Sequence, residues 1–219
     1  MVDYPGYMLF LKSYMPIDEA IDFMARDDIS DKLIHFTKGD TFNDAFKNLQ
    51  SIVQERRLIG SNGLIKGEYD CVCFSEAPLS SLEHGLLNSS AYSRYSPFGV
   101  IFDKKWIFDN GGRPVIYQPD SEFDELLESH KWRHVRYEPT AEEPIDFTWE
   151  REWRIHTKEL NFDPSVAALV VPDQDWANVL IGEHVAQQDY RVMQYSIIMD
   201  EVLAMQYRED FEWLIYVLR

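Results

Sequence analysis

The segment from Phe147 to His156, FTWEREWRIH, constrains the fold more than any other because its apolar and polar residues alternate. Successive side chains of a strand point to opposite faces. The alternation therefore predicts a strand over about residues 149–157, with one face in the core and a polar face formed by Thr148, Glu150, Glu152 and Arg154. Two carboxylates in such a row would lie about 7 Å apart, twice the ~3.4 Å rise per residue. At that separation each carboxylate shifts the ionisation of the other.

This pair of carboxylates has two interpretations. A half-buried strand near a sheet edge often carries Glu and Arg only as solvated residues. Paired carboxylates with perturbed ionisation also cluster at catalytic sites. The strand alone does not decide between them, so the rest of the chain has to.

The bulk composition is typical of a folded globular protein. The chain has 219 residues, of which 45% are hydrophobic and 14% aromatic, and no linker-like stretch divides it. We therefore expect one domain over residues 1–219. No segment approaches the ~20 uninterrupted apolar residues of a membrane span, and the first residues lack a basic start and a small-residue cleavage site. The sequence predicts a cytoplasmic protein that does not contact a membrane.

The formal charge of −17 limits the partners that the surface can bind. A broad basic face for a nucleic-acid backbone is disfavoured, because phosphates would be repelled. A local cluster of Arg side chains and backbone N–H groups can still hold one pyrophosphate. The acidic surface also suits a basic partner protein.

Two cysteines, Cys71 and Cys73, lie within an apolar run and are separated by one residue. They would share one face of a strand, too close in sequence for an ordinary disulfide. A metal site is not expected, since no second Cys pair or closely spaced His pair accompanies them. Free buried thiols are the preferred interpretation.

The order of predicted elements indicates an α+β fold with mostly antiparallel pairing. An amphipathic helix at 17–28 precedes a strand at 32–37, a longer helix at 41–57 and a strand at 69–75. A short helix is expected through Leu87. Further strands are predicted at 98–102, 114–117, 130–137, 149–157 and 166–171, followed by a helix at 175–181 and a mixed C-terminal stretch after Val192.

Four short motifs in this order carry a family resemblance: LIHFT, NLQSIVQERRL, VCFSEAPL and EREWR. Over about residues 32–172 the chain resembles the ADP-ribosyltransferase superfamily. The residues of the four motifs resemble those of bacterial abortive-infection proteins of the AbiGi kind. The resemblance implies an ADP-ribosyltransferase-like split β-sandwich with flanking helices. It also implies that NAD is the substrate.

The resemblance assigns roles to particular residues. Glu152 matches the catalytic glutamate and Glu150 the helper that orients the acceptor, although the two roles can be exchanged. His35 matches the first-strand residue that holds the ribose beside the nicotinamide. The implied cofactor-binding residues are His35, Thr37, Ser75, Tyr117 and Arg154. The middle Tyr stays open between Tyr92, Tyr95 and Tyr117, and the candidate pyrophosphate donors are Lys38, Arg94, Arg113 and Arg154.

The implied reaction fits paired carboxylates. Cleavage of the bond between nicotinamide and ribose passes through an oxocarbenium-like state, which a nearby carboxylate stabilises as positive charge grows. We therefore expect an NAD-dependent mono-ADP-ribosyltransferase, a toxin or effector of bacterial anti-phage defence that modifies a protein or nucleic-acid acceptor.

Two alternatives stay open. The first is a catalytically inactive protein of the same fold, an antitoxin or sensor that binds a basic toxin or antitoxin partner. The second is a magnesium-dependent nuclease that would use Asp70, Glu76, Glu150, Glu152 and Lys158. The strong negative charge makes the nuclease the weaker alternative, because its substrate is a polyanion.

Overall fold

The structure is a computed structural model that describes residues 30–78 and 96–218. Within these residues the fold combines one large sheet, two small sheets and several helices, so the predicted α+β class with mostly antiparallel pairing is confirmed. The helix expected at 17–28 and the helix expected through Leu87 lie outside the described residues. So do Tyr92, Arg94 and Tyr95.

Eleven strands are described, in the order β1 (Lys32–Phe36), β2 (Arg57–Ile59), β3 (Cys71–Ser75), β4 (Gly99–Asp103), β5 (Arg113–Pro114), β6 (Ile116–Gln118), β7 (His134–Arg136), β8 (Glu152–His156), β9 (Glu159–Asn161), β10 (Ala167–Val171) and β11 (Leu214–Val217). The α-helices are α1 (Phe42–Glu55), α2 (Lys104–Asp109), α3 (Gln174–Ser196) and α4 (Glu201–Met205). Short 3-10 helices cover Asp120–Glu125, Glu128–Arg133, Thr148–Glu150 and Pro164–Val166.

The large sheet has the strand order β11-β10-β4-β1-β3-β8-β5. Neighbouring strands are antiparallel except β10 and β11, which are parallel. Strands β2 and β9 form a separate antiparallel pair, and β6 and β7 form a parallel pair. The three strands that carry the motifs LIHFT, VCFSEAPL and EREWR, namely β1, β3 and β8, are therefore consecutive in the sheet.

The pairing between β1 and β3 is much shorter than that of the other central strands. It consists of one register pair, Ile34 with Ser75. By contrast, β3 and β8 are paired over five positions, from Cys71 with His156 to Ser75 with Glu152. We call the short pairing between β1 and β3 the junction, and it divides the sheet into two halves.

Helix α1 follows the sequence pattern closely. The side chain of Thr41 accepts a hydrogen bond from the backbone of Asp44 and so caps the helix N-terminus. The helix ends at Glu55, and the following Arg56 has a left-handed backbone with φ of 53°. Its buried residues Ala45, Phe46 and Leu49 pack onto one face of the sheet, where they join the main hydrophobic core. A smaller apolar cluster lies on the other face and includes Ile34, Ile101 and Val170.

The strand predicted over 149–157 is shorter than expected, and this corrects the opening prediction. Strand β8 begins only at Glu152, because Thr148–Glu150 forms a 3-10 turn. Between them Arg151 has a left-handed backbone with φ of 45°. The period of two is broken at this point, so Glu150 and Glu152 are not neighbours in one strand row. Glu152 and Arg154 do share a strand face.

Other boundaries differ at the C-terminus. Helix α3 extends to Ser196, well beyond the predicted end at residue 181, and a second helix and strand β11 follow it. In the described part of the chain, no helix has the length and apolar character needed to cross a membrane.

Candidate active site

A cleft of about 770 Å³ lies over the junction. Its walls come from β1, β3 and β8, from helix α1, and from the segments that carry β2 and β7. Cavities of this size are typical of small-molecule sites. His35, Thr37, Ser75, Glu150, Glu152 and Arg154 all line it. The structure therefore brings most of the predicted site residues to one cavity.

The strand register sets a row of side chains across the two motif strands β3 and β8. Ser75 is the cross-strand partner of Glu152, and Cys73 is the partner of Arg154. Antiparallel partners project from the same face of the sheet. These four residues therefore form one wall of the cleft.

His35 lies one position out of this row. Ile34, not His35, is the register partner of Ser75. The His35 ring instead packs edge-on to Phe74, with 6.0 Å between ring centroids, and its Nδ1 donates to the carbonyl of Cys73 at 2.9 Å. Removal from water lowers the pKa of His35, an effect that the Cys73 carbonyl opposes and the charge of Lys38 reinforces. His35 thus bridges the junction as a neutral donor.

Glu152 and Arg154 form a buried ion pair. Arg154 Nε and Nη2 donate to the two Glu152 oxygens at 2.8 and 3.2 Å. The side chains are only 12% and 6% exposed. Burial opposes the charge of Arg154, but Glu152 more than offsets this, and the pKa of Arg154 is raised. Arg154 Nη1 also donates to the carbonyls of Trp132 and His134, each at 3.0 Å. The guanidinium is thereby committed to holding Glu152 in place and is not free for a pyrophosphate.

Glu150 reaches the cleft from the turn before β8. Its backbone carbonyl accepts a hydrogen bond from Ser75 Oγ at 2.7 Å, and Ser75 Oγ accepts one from the backbone of Ala77 at 3.1 Å. The backbone N–H of Glu76 donates to the carbonyl of Arg151 at 3.2 Å. Ser75 is therefore a positioning residue that ties β3 to the turn carrying Glu150.

Two predicted site residues have different surroundings from those expected. Tyr117 is not among the residues that line the cleft; its hydroxyl accepts a hydrogen bond from the backbone N–H of Glu152 at 3.1 Å. Burial raises the pKa of Tyr117 to about 12, so the phenol is neutral. Thr37 lines the cleft but donates its hydroxyl to the carbonyl of Phe98 at 3.3 Å. Both residues support the site through the backbone.

The candidate pyrophosphate donors differ in whether they line the cleft and whether their charge is already used. Arg113 does not line the cleft: its guanidinium donates to the carbonyls of Phe108 and Gly112. Lys38 lines the cleft, and among the described residues its ammonium has no ion-pair partner. Its charge acts on His35. Of the predicted donors that lie in the described residues, Lys38 is the one whose charge is available to an anionic ligand.

The cleft is electrostatically unlike the rest of the molecule. Its lining carries the cations Lys38, Arg57, Lys66, Arg136 and Arg154 and the anions Glu55, Asp120, Glu150 and Glu152. Cations are in the majority here, although the whole chain carries a charge of −17. The sequence analysis missed Arg57, Lys66 and Arg136, because nothing local marks them as neighbours of the motif strands. An anionic ligand meets less repulsion in the cleft than elsewhere on the surface.

The two thiols line the same wall but have little nucleophilic character. Burial raises the pKa of Cys71 to about 11, and burial followed by the charge of Glu152 raises the pKa of Cys73 still further. Both cysteines are free. A thiol that stays protonated at neutral pH is a poor nucleophile, so neither cysteine is suited to covalent chemistry at this wall.

His134 is a cleft residue that the sequence analysis missed. Its side chain is buried, and its Nε2 has no hydrogen-bond partner within the described residues. The residue falls within the strand predicted at 130–137, where no pattern distinguishes it from a packing residue. Only the fold places it beside Arg154.

The acidic residues of the nuclease alternative do not gather around a metal position. Glu76 accepts hydrogen bonds from Lys104 Nζ at 2.6 Å and from Trp153 Nε1 at 2.7 Å. Across residues 30–78 and 96–218, no group of three or more His, Cys, Asp or Glu side chains is arranged to hold a metal ion.

Comparison with protein-family models, with curated proteins and with solved structures gave no match to this chain. A function for it therefore has to be argued from the geometry of the cleft.

Proposed function

We propose that the protein is an NAD-dependent mono-ADP-ribosyltransferase whose cleft over the junction binds NAD. The observation that carries the proposal is that the three strands with the family motifs are consecutive in the sheet. They bring His35, Ser75 and Glu152 to one cavity although these residues are far apart in the sequence. Such convergence is what a shared ligand requires.

The cleft also offers complementary charge for a dinucleotide. Lys38 is the available cation at one side, and the charges of the lining nearly balance although the whole chain is acidic. An ammonium group binds phosphate oxygens as a point charge. We assign Lys38 to the pyrophosphate of NAD.

In the proposed reaction the bond between ribose C1′ and the nicotinamide nitrogen breaks, and its electron pair leaves with the nicotinamide. The Glu152 carboxylate accepts two hydrogen bonds from Arg154 and retains lone pairs for a ribose hydroxyl. Its negative charge stabilises the oxocarbenium-like ribose. The acceptor then bonds to C1′, and Glu150, at the cleft rim, takes the proton that the acceptor loses.

The biological setting follows from the motifs that resemble AbiGi-like abortive-infection proteins. We propose a toxin or effector of bacterial anti-phage defence, with a protein or nucleic-acid acceptor. The charge of −17 suits a basic toxin or antitoxin as a further partner.

A second candidate function is a catalytically inactive protein that binds a ligand or partner through the same fold. The observation that favours it is the bidentate ion pair, because Arg154 already compensates the charge of Glu152. A carboxylate neutralised by its own strand neighbour stabilises an oxocarbenium-like state less than a free one would. Only an activity measurement separates these two candidates.

The experiment is incubation of the purified protein with labelled NAD, followed by measurement of released nicotinamide and of label on added acceptors. Glu152→Gln should lower nicotinamide release by about 10² or more, as expected for losing one transition-state contact. Glu150→Gln should reduce transfer to the acceptor more than NAD hydrolysis. Glu143→Gln, an exposed glutamate outside the cleft lining, is the matched control. Wild-type protein that binds NAD without consuming it would support the inactive candidate, and protein that does neither would contradict the proposal.

A further inference from the structure

His134 carries a buried hydrogen-bonding atom that the protein itself does not use. The residue is 4% exposed, lines the cleft, and its Nε2 has no partner among the described residues. Buried polar atoms are nearly always paired, because an unpaired one loses its hydration without compensation. An exception inside a cleft indicates a partner supplied by a ligand.

The surroundings define which kind of partner is needed. The Pro119 carbonyl acts on the ring as a backbone acceptor that raises its pKa, and because Nε2 is unpaired we assign the ring proton to Nδ1, facing that carbonyl. Burial lowers the pKa of His134, and the ring packs edge-on against Phe123 at 5.2 Å between centroids. In a neutral imidazole with a proton on Nδ1, Nε2 is an acceptor. The missing partner is therefore an N–H or O–H donor.

A series of contacts connects Lys38 with His134, and both residues line the cleft together with Glu152. The charge of Lys38 acts on His35, and His35 binds the carbonyl of Cys73. Cys73 is the cross-strand partner of Arg154, and Arg154 donates to the carbonyl of His134 at 3.0 Å. This series of contacts crosses the cleft from the free cation, past the buried ion pair of Arg154, to the unpaired acceptor.

We infer that His134 recognises the carboxamide of nicotinamide, through a hydrogen bond from the carboxamide N–H to Nε2. The inference rests on the proposed function. With the pyrophosphate at Lys38 and the adjoining ribose at Glu152, the nicotinamide ring extends toward His134. The planar ring with its amide then supplies the donor that the buried acceptor lacks.

This contact makes the cleft selective between an amide and an acid. The carboxylate of nicotinic acid has acceptor atoms only, so it cannot pair with Nε2 and would place a negative charge beside a buried lone pair. A site built to pair with a hydrogen-bond donor rejects an analogue that lacks it. Nicotinamide should therefore bind more tightly than nicotinic acid.

The test uses calorimetric titration of the full chain with nicotinamide alone and with nicotinic acid alone. The test variant is His134→Phe, which keeps an aromatic ring beside Phe123 but removes the acceptor. The control variant is His130→Phe, an exposed histidine four positions earlier that is not part of the cleft lining. Thermal melting of each variant is measured in parallel. KM for NAD is compared with KM for nicotinic acid adenine dinucleotide.

We expect wild type and His130→Phe to prefer nicotinamide by about tenfold or more, and His134→Phe to lose that preference. The melting temperature of His134→Phe should stay close to that of wild type, because removal of the unpaired buried Nε2 offsets loss of the donor that faces the Pro119 carbonyl. A structural role for His134 would instead lower it.

Wild type without the preference, or His134→Phe with it, would overturn the inference. If NAD is still consumed in that case, the proposed function stands without this subsite; if wild type neither binds nor consumes NAD, the proposed function fails as well.

Discussion

Arg154 binds both carboxylate oxygens of Glu152 from two positions further along the same strand, at 2.8 and 3.2 Å. Side chains two residues apart in a strand share a face, so the local backbone is sufficient to form the pair. Its orientation is then fixed by the carbonyls of Trp132 and His134, which accept from Arg154. The carboxylate of the proposed catalytic residue is therefore positioned before any ligand arrives.

Replacing Arg154 with Met should destabilise the fold by about 3–5 kcal/mol, because the change leaves Glu152 buried without a partner. Two backbone carbonyls lose their donor as well. Chemical denaturation measures the difference in the free energy of unfolding. The control is Arg191→Met, which breaks the exposed pair with Glu209 and should cost about 0–1 kcal/mol. Equal losses in the two variants would show that burial adds nothing to the Arg154 pair.

Replacing Lys38 with Met should raise KM for NAD by about tenfold, as expected for losing one charge-assisted contact. The dependence of KM on salt should also become weaker, since screening acts on the phosphate contact. Lys47→Met removes a lysine of helix α1 whose side chain is 74% exposed and pairs with Asp44. It should leave KM unchanged. The same KM in both variants would remove Lys38 from the site.

Acid should destabilise the protein in part through His35 and His134, since burial lowers the pKa of both. The unfolded chain then binds protons more readily than the folded one, so the free energy of unfolding rises with pH. Their contribution is complete above the unfolded pKa of about 6.5 and is lost as pH falls below it toward the folded values.

Denaturation at pH 7.5 and pH 5.5 checks this pH dependence. His35→Gln and His134→Phe should each show a smaller loss of stability between the two pH values than wild type. His130→Gln, at an exposed position, should keep the wild-type loss. An unchanged loss in the first two variants would exclude these imidazoles as its source.

Substitutions at Arg151 test whether the backbone between Glu150 and Glu152 is strained. Its left-handed φ of 45° costs a non-glycine residue about 1–2 kcal/mol. Arg151→Ala removes the side chain and keeps this cost, whereas Arg151→Gly removes both. The Gly variant should therefore be more stable than the Ala variant by about 1 kcal/mol in denaturant unfolding. A less stable Gly variant would mean that the turn is not strained.

Elements with a clear local period could be predicted from the sequence. Strand β1 and helix α1 match their predicted bounds closely, because alternation and three-to-four spacing follow from which side chains enter the core. The helix begins directly after Thr41, whose side-chain oxygen caps it. Strands β2 and β9 were missed, since three residues are too few to show a period.

The alternating run at Phe147–His156 gave the wrong strand start for a different reason. Nothing in the residue type of Arg151 indicates a positive φ, and the hydrogen bond from the Glu76 N–H to the Arg151 carbonyl, next to the β3–β8 pairing, is a long-range contact. The role of Arg154 was likewise assigned to the cofactor, because a sequence does not show that its donors are already used. His134 could not be found at all without the packing of β7 beside β8.

The junction between β1 and β3 has a consequence for how the molecule responds to ligand. With one register pair, Ile34 with Ser75, few of the backbone amides that β1 and β3 direct at each other are protected by the sheet ladder, so these amides should exchange with solvent through local opening. A molecule bound to Lys38 on one half and Glu152 on the other would link the two halves, and opening would then require its release. Bound NAD should therefore slow amide exchange at β1 and β3 in proportion to the fraction of protein whose cleft is occupied. The exchange rate at the junction would then report NAD binding.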